Sequence, residues 1–385
     1  MDIRTKLCNL GRNPSKHFRT VNTPIYKTST YVYETMDEFI RDSQPFHTDA
    51  TYGRSGTPTS HALQDAIKAI EGSQFCTLTA SGLSSIVIAV LGLVKAGEHI
   101  LVPDTAYKCS HRFFDEELTR LDISFDYYDA TITDEIIPMI RSNTKLLFLE
   151  SPGSGTFEVQ DFRALCKIAK DHNLLTIADN SWATPLFLNP FDLGVDVCVM
   201  SLTKYFSGHS DLLMGSISCN DLQIHNNIHR AFLNYASAPS PDDAFLVLRG
   251  LRTLKTRLDY HEKSALEVAQ FLEAHPKVER VMHPALESNK GYEIWKRDFT
   301  GSTGLFSFKP YNNNEKELHK FIESLNFFSI ALSWGCFESL IMPYKLSQLP
   351  TIMKRHPEGF YIRLNIGLES TQDLIHDLDN ALKII

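Results

Sequence analysis

The sequence predicts an α/β fold, with a mostly parallel central sheet flanked by helices and a smaller C-terminal α+β domain. From residue 60 to about residue 200, β-prone runs alternate with segments of helical periodicity, which is typical of a parallel sheet covered by helices. Those β-prone runs end at polar residues, and beyond residue 250 the order of helices and strands changes. The 385 residues are enough for two or three domains of ~100–200 residues each.

The periodic segments justify the elements in turn. Leu63, Ala66, Ile67 and Ile70 fall at helical spacing and are followed by Gly72, a residue type that often ends helices. The next expected helices are 82–96, a segment after residue 107, and 161–171, and the expected strands are 75–80, 99–102, 123–128, 145–149, 174–178 and 195–200. In the C-terminal part the expected strands are 306–308, 329–332 and 361–366, and the expected helices are about 251–275, 315–325 and 371–384.

This order divides the chain into three regions. Residues 1–54 are irregular and polar, and we expect an extended arm there. Residues 55–250 form the predicted ligand-binding α/β domain, because ligands bind beyond the carboxyl ends of the strands in open α/β sheets. Residues 251–385 form the predicted C-terminal α+β domain.

Charge and hydropathy exclude several classes of partner. With 38 basic and 46 acidic residues the net charge is −8, so we expect no nucleic-acid partner and no attraction to an anionic membrane surface. The most apolar stretch, residues 86–94, is far shorter than the ~20 residues that span a bilayer. The first residues show no apolar segment of a secretory signal, and we expect a cytoplasmic location.

The cysteines and histidines give no sign of a metal or disulfide framework. Seven cysteines are scattered without a Cys-x-x-Cys pair, and the histidines form no HExxH motif. We therefore expect no metal site and a reducing compartment. The sequence also lacks GxGxxG and GxxxxGK[ST], which disfavours a nicotinamide dehydrogenase and a P-loop NTPase.

Lys204 is the sharpest candidate for chemistry. It follows the apolar run 195–200 in Ser201-Leu202-Thr203-Lys204, at the edge of the predicted sheet. Partial desolvation there favours the neutral, nucleophilic amine, which can form an imine with a carbonyl group. The alternative is a surface lysine that simply ends a strand.

Asp179 and the Ser81-Gly82 pair strengthen the chemical interpretation. Asp179 ends the preceding predicted strand, where a carboxylate can pair with the protonated ring nitrogen of pyridoxal phosphate (PLP) or simply cap a helix. Ser81 and Gly82 follow a strand and open a helix, so backbone N–H groups and the helix dipole offer a phosphate site. The hydroxyls of Ser201 and Thr203 can add contacts to that phosphate.

Tyr107 and Arg363 are candidates for the remaining contacts. Tyr107 lies just past the strand that ends at residue 102, where it can stack on a planar ring. Arg363 alternates with Ile362 and Leu364, so it faces opposite to them, and its fork suits a carboxylate. Each has a structural alternative, so the prediction depends on their joint occurrence.

Ordered motifs run nearly from end to end of the chain. They are VNTPIYKTSTY, TYGRSGTPTS, DTAYKCS, LESPGSGTFEVQD, ADNSWATP, SLTKYFSGHSDLLMGS, RGLRTLKTRL, SWGCFESL and IRLNIGLE. With these motifs the sequence resembles the Cys/Met-metabolism PLP-dependent enzymes, and within them the cystathionine β-lyase branch. The resemblance implies a fold type I, PLP-dependent transferase-like fold with pyridoxal 5'-phosphate as the cofactor.

Carried over onto this sequence, the family's motifs imply a role for each candidate. Lys204 would hold the cofactor as a Schiff base and transfer protons, and Tyr107 would stack on the ring. Arg363, helped by Ser333, would bind the substrate carboxylate. The other implied contacts are Asp179 with the ring nitrogen, Gly82, Leu83, Ser201 and Thr203 with the phosphate, and Tyr52 and Arg54 with the phosphate of a neighbouring subunit. Sharing of this kind implies a homo-oligomer, usually a tetramer built from dimers.

The resemblance implies β-elimination from L-cystathionine, giving homocysteine, pyruvate and ammonia in methionine biosynthesis. Residues 151–154 (SPGS) and Trp182 indicate this branch. The alternatives are a cystathionine γ-lyase or γ-synthase, a broader cysteine-S-conjugate β-lyase or desulfhydrase, and, remotely, a non-catalytic binding protein. Cys336 and Phe337 stand where many relatives have Gly and Tyr, which leaves the side-chain specificity open.

Overall fold

The computed structural model describes residues 1–42, 51–346 and 349–385. These residues divide into two units, each made of two segments of the chain. The first unit contains residues 1–95 and 195–255, and the second contains residues 96–194 and 256–385. The domain boundaries predicted at residues 54 and 250 stay a prediction.

Helices and strands alternate through the first half of the chain and mix in a different order in the second half. The elements up to residue 201 are α1 (Ile3–Asn9), α2 (Met36–Asp42), α3 (Pro58–Glu71), β1 (Phe75–Thr79), α4 (Gly82–Leu93), β2 (His99–Pro103), α5 (Lys108–Arg112), β3 (Ser124–Tyr128), β4 (Thr144–Glu150), α6 (Phe162–Asp171), β5 (Leu175–Asp179), α7 (Thr184–Phe187) and β6 (Val197–Ser201). The later elements are β7 (Gly215–Cys219), α8 (Leu222–Tyr235), α9 (Pro241–Leu251), α10 (Leu254–Ala274), β8 (Val278–Met282), α11 (Tyr292–Asp298), β9 (Leu305–Pro310), α12 (Glu315–Glu323), β10 (Ser329–Ile330), β11 (Leu340–Lys345), α13 (Pro350–Arg355), β12 (Phe360–Asn365) and α14 (Thr371–Leu382).

In the first unit, β7 lies between β1 and β6 and runs antiparallel to both. Helix α4 covers these strands, and its residues Ile86, Ile88 and Val90 are at most 1% exposed. The apolar run seen in the sequence is therefore a buried helix of a globular core. None of the helices in the described ranges is long and apolar enough to cross a membrane.

Capping side chains explain where α3 and α4 begin. The Thr57 hydroxyl accepts a hydrogen bond from the Ser60 N–H, and the Ser60 hydroxyl accepts one from the Thr57 N–H. Ser81 and Ser84 form the same reciprocal pair at the start of α4. Each pair satisfies N–H groups that a helix start leaves without a partner.

In the second unit, the strands β5, β4, β2 and β3 are adjacent in that order and all parallel. Glu150 and Asp179, the last residues of β4 and β5, are in register. The polar ends of these two strands therefore lie side by side, as predicted for the carboxyl edge of a parallel sheet.

The second unit also contains a separate sheet, in the order β10, β11, β12, β9 and β8. Phe306 and Phe308 of β9, Phe321 of α12 and Leu374 and Leu378 of α14 are fully buried in its core. This part of the chain matches the predicted α+β region.

The structure adds elements that the sequence analysis did not predict. Strand β7 has the sequence GSISC, whose small and polar residues give little β signal, and β11 contains Pro343. The predicted arm also contains helix α1, which Asp2 caps and which buries Leu7. Residues 43–50 of that arm lie outside the described residues.

Candidate active site

The first unit places a helix start against the strand that leads to Lys204. Gly82 is the first residue of α4, and a Cβ atom added there would lie 2.5 Å from the Cβ atom of Ser201. The N–H groups of Gly82 and Leu83 lie in the first turn, where no intrahelical carbonyl is available to them. Three of the predicted phosphate-binding residues are thus brought together, in a space that only glycine leaves open.

Lys204 follows β6 in a loop that closes on itself before β7. The Thr203 N–H donates to the Met214 carbonyl oxygen over 3.2 Å, and the Met214 N–H donates to the Thr203 hydroxyl over 3.1 Å. Leu202 is fully buried, whereas Lys204 is half-buried. These bonds hold the backbone at Thr203, the residue before the lysine.

The Thr203 hydroxyl makes a hydrogen bond within the loop that the sequence did not predict. It also donates to the Met214 carbonyl oxygen over 3.2 Å, so its proton is already used within the loop. A phosphate contact through this hydroxyl would require the proton to turn from the carbonyl to the phosphate.

Tyr52 and Arg54 lie in the first unit, with side chains exposed at its surface. Tyr52 is 51% exposed and pairs through its backbone with Thr30. Gly53 between them approaches the Thr28 carbonyl so closely that no side chain fits. This tight turn holds the two side chains outward, which is the arrangement expected for residues that serve a neighbouring subunit.

The second unit gathers Tyr107 and Asp179 around a buried acid, Glu150. The Tyr107 N–H donates to Glu150 Oε2 over 2.8 Å, and the Ser154 hydroxyl lies 2.8 Å from Glu150 Oε1. The Asp179 carboxylate accepts a hydrogen bond from the Ser181 N–H over 2.9 Å. Burial first, and the charge of Asp179 second, raise the pKa of Glu150 to about 8.

Arg363 lies on β12, with Ser307 of β9 and Met342 of β11 opposite it. Its Nη2 atom donates to the carbonyl oxygens of Leu332 and Ser333 over 2.6 Å and 3.1 Å. Burial lowers the pKa of Arg363, and the tyrosines that face it partly oppose this shift. The backbone of Ser333 thus orients the guanidinium, whose fork suits a carboxylate.

Sequence reasoning missed the contacts made by Glu150, Ser154 and Tyr344. The Tyr344 hydroxyl donates to the Gly155 carbonyl oxygen over 2.5 Å and lies 3.0 Å from the Ser307 hydroxyl. Glu150 carried a weak signal, as a polar residue at a strand end. Tyr344 carried none, because Pro343 obscured its strand.

Within each unit the residues fit an aromatic phosphate-bearing cofactor. The first unit offers a nucleophilic amine and a glycine cradle at a helix N-terminus, which suits a phosphate. The second unit offers a carboxylate, an aromatic ring and an oriented guanidinium. This set of donors matches what pyridoxal 5'-phosphate and an amino-acid substrate require.

Comparison with known proteins agrees with this chemistry. The Cys/Met metabolism PLP-dependent enzyme family matches residues 4–383. Cystathionine beta-lyase MetC of Escherichia coli K12 is 38% identical over 385 residues, which cover 98% of this chain and 97% of that protein. L-alanine/L-glutamate racemase of Wolbachia pipientis is 37% identical over 390 residues, which cover 98% of this chain and 96% of that protein.

The fold is shared with a solved structure. A crystal structure of MetB from Corynebacterium glutamicum has a TM-score of 0.90 and 28% identity, and covers 100% of this chain and 98% of that one. The likeness confirms the predicted fold class, with its central sheet and smaller C-terminal α+β part. Because sequence and structure match over nearly the whole length, the chain belongs to the Cys/Met metabolism PLP-dependent enzyme family, and its cofactor is pyridoxal 5'-phosphate.

Proposed function

We propose that this protein is a carbon–sulfur lyase that cleaves L-cystathionine by β-elimination, releasing homocysteine, pyruvate and ammonia for methionine biosynthesis. The observation that carries the proposal is the near full-length match, at 38% identity, to a cystathionine beta-lyase. The SPGS segment and Trp182 favour the same branch. The Trp182 indole N–H donates to the Leu305 carbonyl oxygen over 2.9 Å, so it is a buried structural anchor as well.

Lys204 is the proposed cofactor-linking and proton-transfer residue. When bound, PLP supplies a protonated ring that accepts the electrons released at the substrate Cα. Once the substrate amine has released it from the cofactor, the free amine of Lys204 would remove the Cα proton, and the homocysteine thiolate would leave from Cβ. The remaining three-carbon fragment is hydrolysed to pyruvate and ammonia.

The other predicted residues hold the reacting groups in place. Asp179 keeps a proton on the ring nitrogen, and Tyr107 stacks on the ring and borders the reacting atoms. Arg363, oriented by Ser333, binds the substrate carboxylate. The phosphate contacts are proposed for Gly82, Leu83, Ser201 and Thr203, with Tyr52 and Arg54 supplied to the neighbouring subunit.

Amino-acid racemisation is the second candidate. A relative 37% identical over 390 residues is named L-alanine/L-glutamate racemase. A racemase also requires removal of the Cα proton by a base, but it returns a proton to the opposite face and breaks no carbon–sulfur bond. The two reactions therefore differ in their products.

The test is to incubate the PLP-loaded enzyme with L-cystathionine and identify every product. Pyruvate with homocysteine supports the proposal, whereas 2-oxobutyrate with cysteine would replace it by γ-elimination. Activity on other β-thio amino acids but not on cystathionine would indicate a broader lyase. Conversion of L-alanine or L-glutamate to the D-isomer, without pyruvate from cystathionine, would favour the racemase.

We also propose a cytoplasmic homotetramer built from dimers that share active sites. The outward side chains of Tyr52 and Arg54 support the sharing, and the pattern of cysteines in the sequence supports the location. Light scattering measures the assembly. Mixed oligomers of Arg54→Ala and Lys204→Ala subunits should regain part of the activity that each variant lacks alone, and no recovery would contradict sharing.

A further inference from the structure

Glu150 is a buried carboxyl at the centre of the second unit's predicted ring-binding residues. Its side chain belongs to the last residue of β4 and the residue is 7% exposed. Buried carboxyl groups are costly unless their oxygens have hydrogen-bond partners. Here each oxygen has one.

The two contacts of Glu150 reach different loops. Oε2 accepts the N–H of Tyr107, at the start of α5, and Oε1 lies within 2.8 Å of the Ser154 hydroxyl. Ser154 belongs to the segment that departs from β4, and its own N–H donates to the Thr105 carbonyl oxygen over 2.7 Å. A single carboxyl thus joins the turn that carries Tyr107 to the segment that follows β4.

Burial and the neighbouring Asp179 both raise the pKa of Glu150. The two residues are in register on adjacent strands, and burial together with the Asp179 charge raises the pKa of Glu150 to about 8. Burial and the neighbouring carboxylate thus both favour the neutral form of Glu150. In the structure the Ser154 hydroxyl donates to Glu150 Oε1, and a neutral carboxyl can keep this contact with either oxygen as the donor while Oε2 accepts from the Tyr107 N–H.

We propose that Glu150 is a positioning residue for the cofactor ring, which fixes Tyr107 and Ser154 beside Asp179. The inference rests on the proposed roles of Tyr107 and Asp179, but it holds whether the reaction is elimination or racemisation. A merely structural role is the competing explanation. The Glu150 N–H donates to Gln160 Oε1, and Gln160 Nε2 donates to the buried hydroxyl of Tyr128.

The test compares Glu150→Gln and Glu150→Ala with the wild type, without any substrate. Apo-protein is titrated with PLP, and the visible circular dichroism per bound cofactor reports how the ring is held. The amide of glutamine keeps one acceptor and one donor, so we expect Glu150→Gln to bind PLP within about threefold of the wild type, with an unchanged signal. Alanine removes both contacts, so we expect about tenfold weaker binding and a reduced signal.

Gln160→Met is the matched control, because it breaks the buried network without touching Tyr107 or Ser154. It should lower thermal stability but leave PLP affinity and the dichroism signal unchanged. If Gln160→Met weakens PLP binding and the dichroism signal as much as Glu150→Ala does, loss of fold stability explains both results and the proposal is overturned. Wild-type behaviour of Glu150→Ala, or a Glu150→Gln variant as defective as Glu150→Ala, would also overturn it.

Ser154→Ala keeps the test decisive if Glu150→Ala does not fold. It removes one of the two contacts, so we expect PLP binding to weaken, but by less than about tenfold, with a reduced dichroism signal. Wild-type affinity and signal in Ser154→Ala would overturn the proposal. Failure of the wild type to bind PLP at all would instead contradict the cofactor assignment itself.

Discussion

The two units hold their candidate residues by different physical means. In the first unit, Lys204 and the glycine cradle are placed by backbone hydrogen bonds and by close approach of small residues. In the second unit, Tyr107 and Arg363 are placed by a buried acid and by carbonyl oxygens that hold a buried guanidinium. Substitutions in the first unit should therefore act mainly by steric clash, whereas those in the second unit should act by changing charge and hydrogen bonding.

We expect the largest effect from a substitution that removes the reactive group of the first unit. Lys204→Ala should lower turnover at least about 10³-fold, because in the proposed mechanism the amine both links the cofactor and moves the proton. Steady-state kinetics and the visible spectrum of the bound cofactor measure the two losses. Partial rescue by added methylamine would sharpen the assignment, and retained activity would contradict it.

Arg363→Lys tests whether charge alone suffices in the second unit. Lysine keeps the positive charge but lacks the planar fork that the Leu332 and Ser333 carbonyls orient. We expect KM to rise roughly 10- to 100-fold with little change in the cofactor spectrum. A parallel loss of PLP affinity would show that Arg363 supports the fold rather than the substrate.

Gly82→Ala tests the role of space in the first unit. The new methyl group would lie 2.5 Å from the Ser201 Cβ atom, so the helix start must move away from β6. We expect PLP to bind about tenfold more weakly in a fluorescence titration of the apo-protein. Ser84→Ala, in the same turn, weakens the helix cap without adding volume and serves as the control; an equal loss there would contradict the steric explanation.

The first unit also contains a buried acid, Glu71, which can be compared with Glu150 of the second unit. Glu71→Gln tests whether the protonation of Glu71 affects stability. Glu71 is 1% exposed, and its burial raises its pKa to about 7. Hydrogen bonds to the side chain lower the pKa, but their effect is smaller than that of burial. Because the folded state holds the proton more tightly than the unfolded state, this contribution to stability is complete below about pH 4 and is lost as the pH rises through about 7. The wild type should lose about 1 kcal/mol of unfolding free energy between about pH 6 and pH 8 that Glu71→Gln retains.

Urea denaturation at several pH values measures that difference. Glu287→Gln, at an exposed glutamate, is the control and should follow the wild type. Activity of Glu71→Gln should be unchanged, because Glu71 precedes β1 whereas the candidate site follows it. Equal pH dependence in the wild type and Glu71→Gln would show that this acid is not held protonated.

Much of the fold was predictable because its signals are local. The apolar runs that end in polar residues gave β4, β5 and β6, and with them Asp179 and Lys204. Strand β7 was missed because its run of small residues gives little local β signal. Its place depends on antiparallel pairing with β1 and β6. Helix α1 was missed because its stability comes from tertiary burial of Leu7 rather than from a long periodic pattern.

The sequence named candidate site residues one by one, and their roles stay predictions, but it did not predict the contacts between them. Glu150 was visible as a polar strand end, yet its bonds to Tyr107 and Ser154 depend on the register of β4 and on the path of two loops. The commitment of the Thr203 hydroxyl to Met214 likewise depends on how the loop returns. Such contacts join residues that are not related by the helical or strand periodicity on which the prediction was based.

The hairpin of β6 and β7 has a consequence for the order in which the protein folds. Its strands are joined by residues 202–214, and the backbone hydrogen bonds described around Lys204 lie within this short stretch. Contacts close in sequence form faster than distant ones, such as the bond from Trp182 to Leu305 across 123 residues. We expect pulse-labelled refolding to protect amides near Lys204 before those of β12, so that the backbone around the proposed cofactor-linking residue is ordered before the strand that carries Arg363.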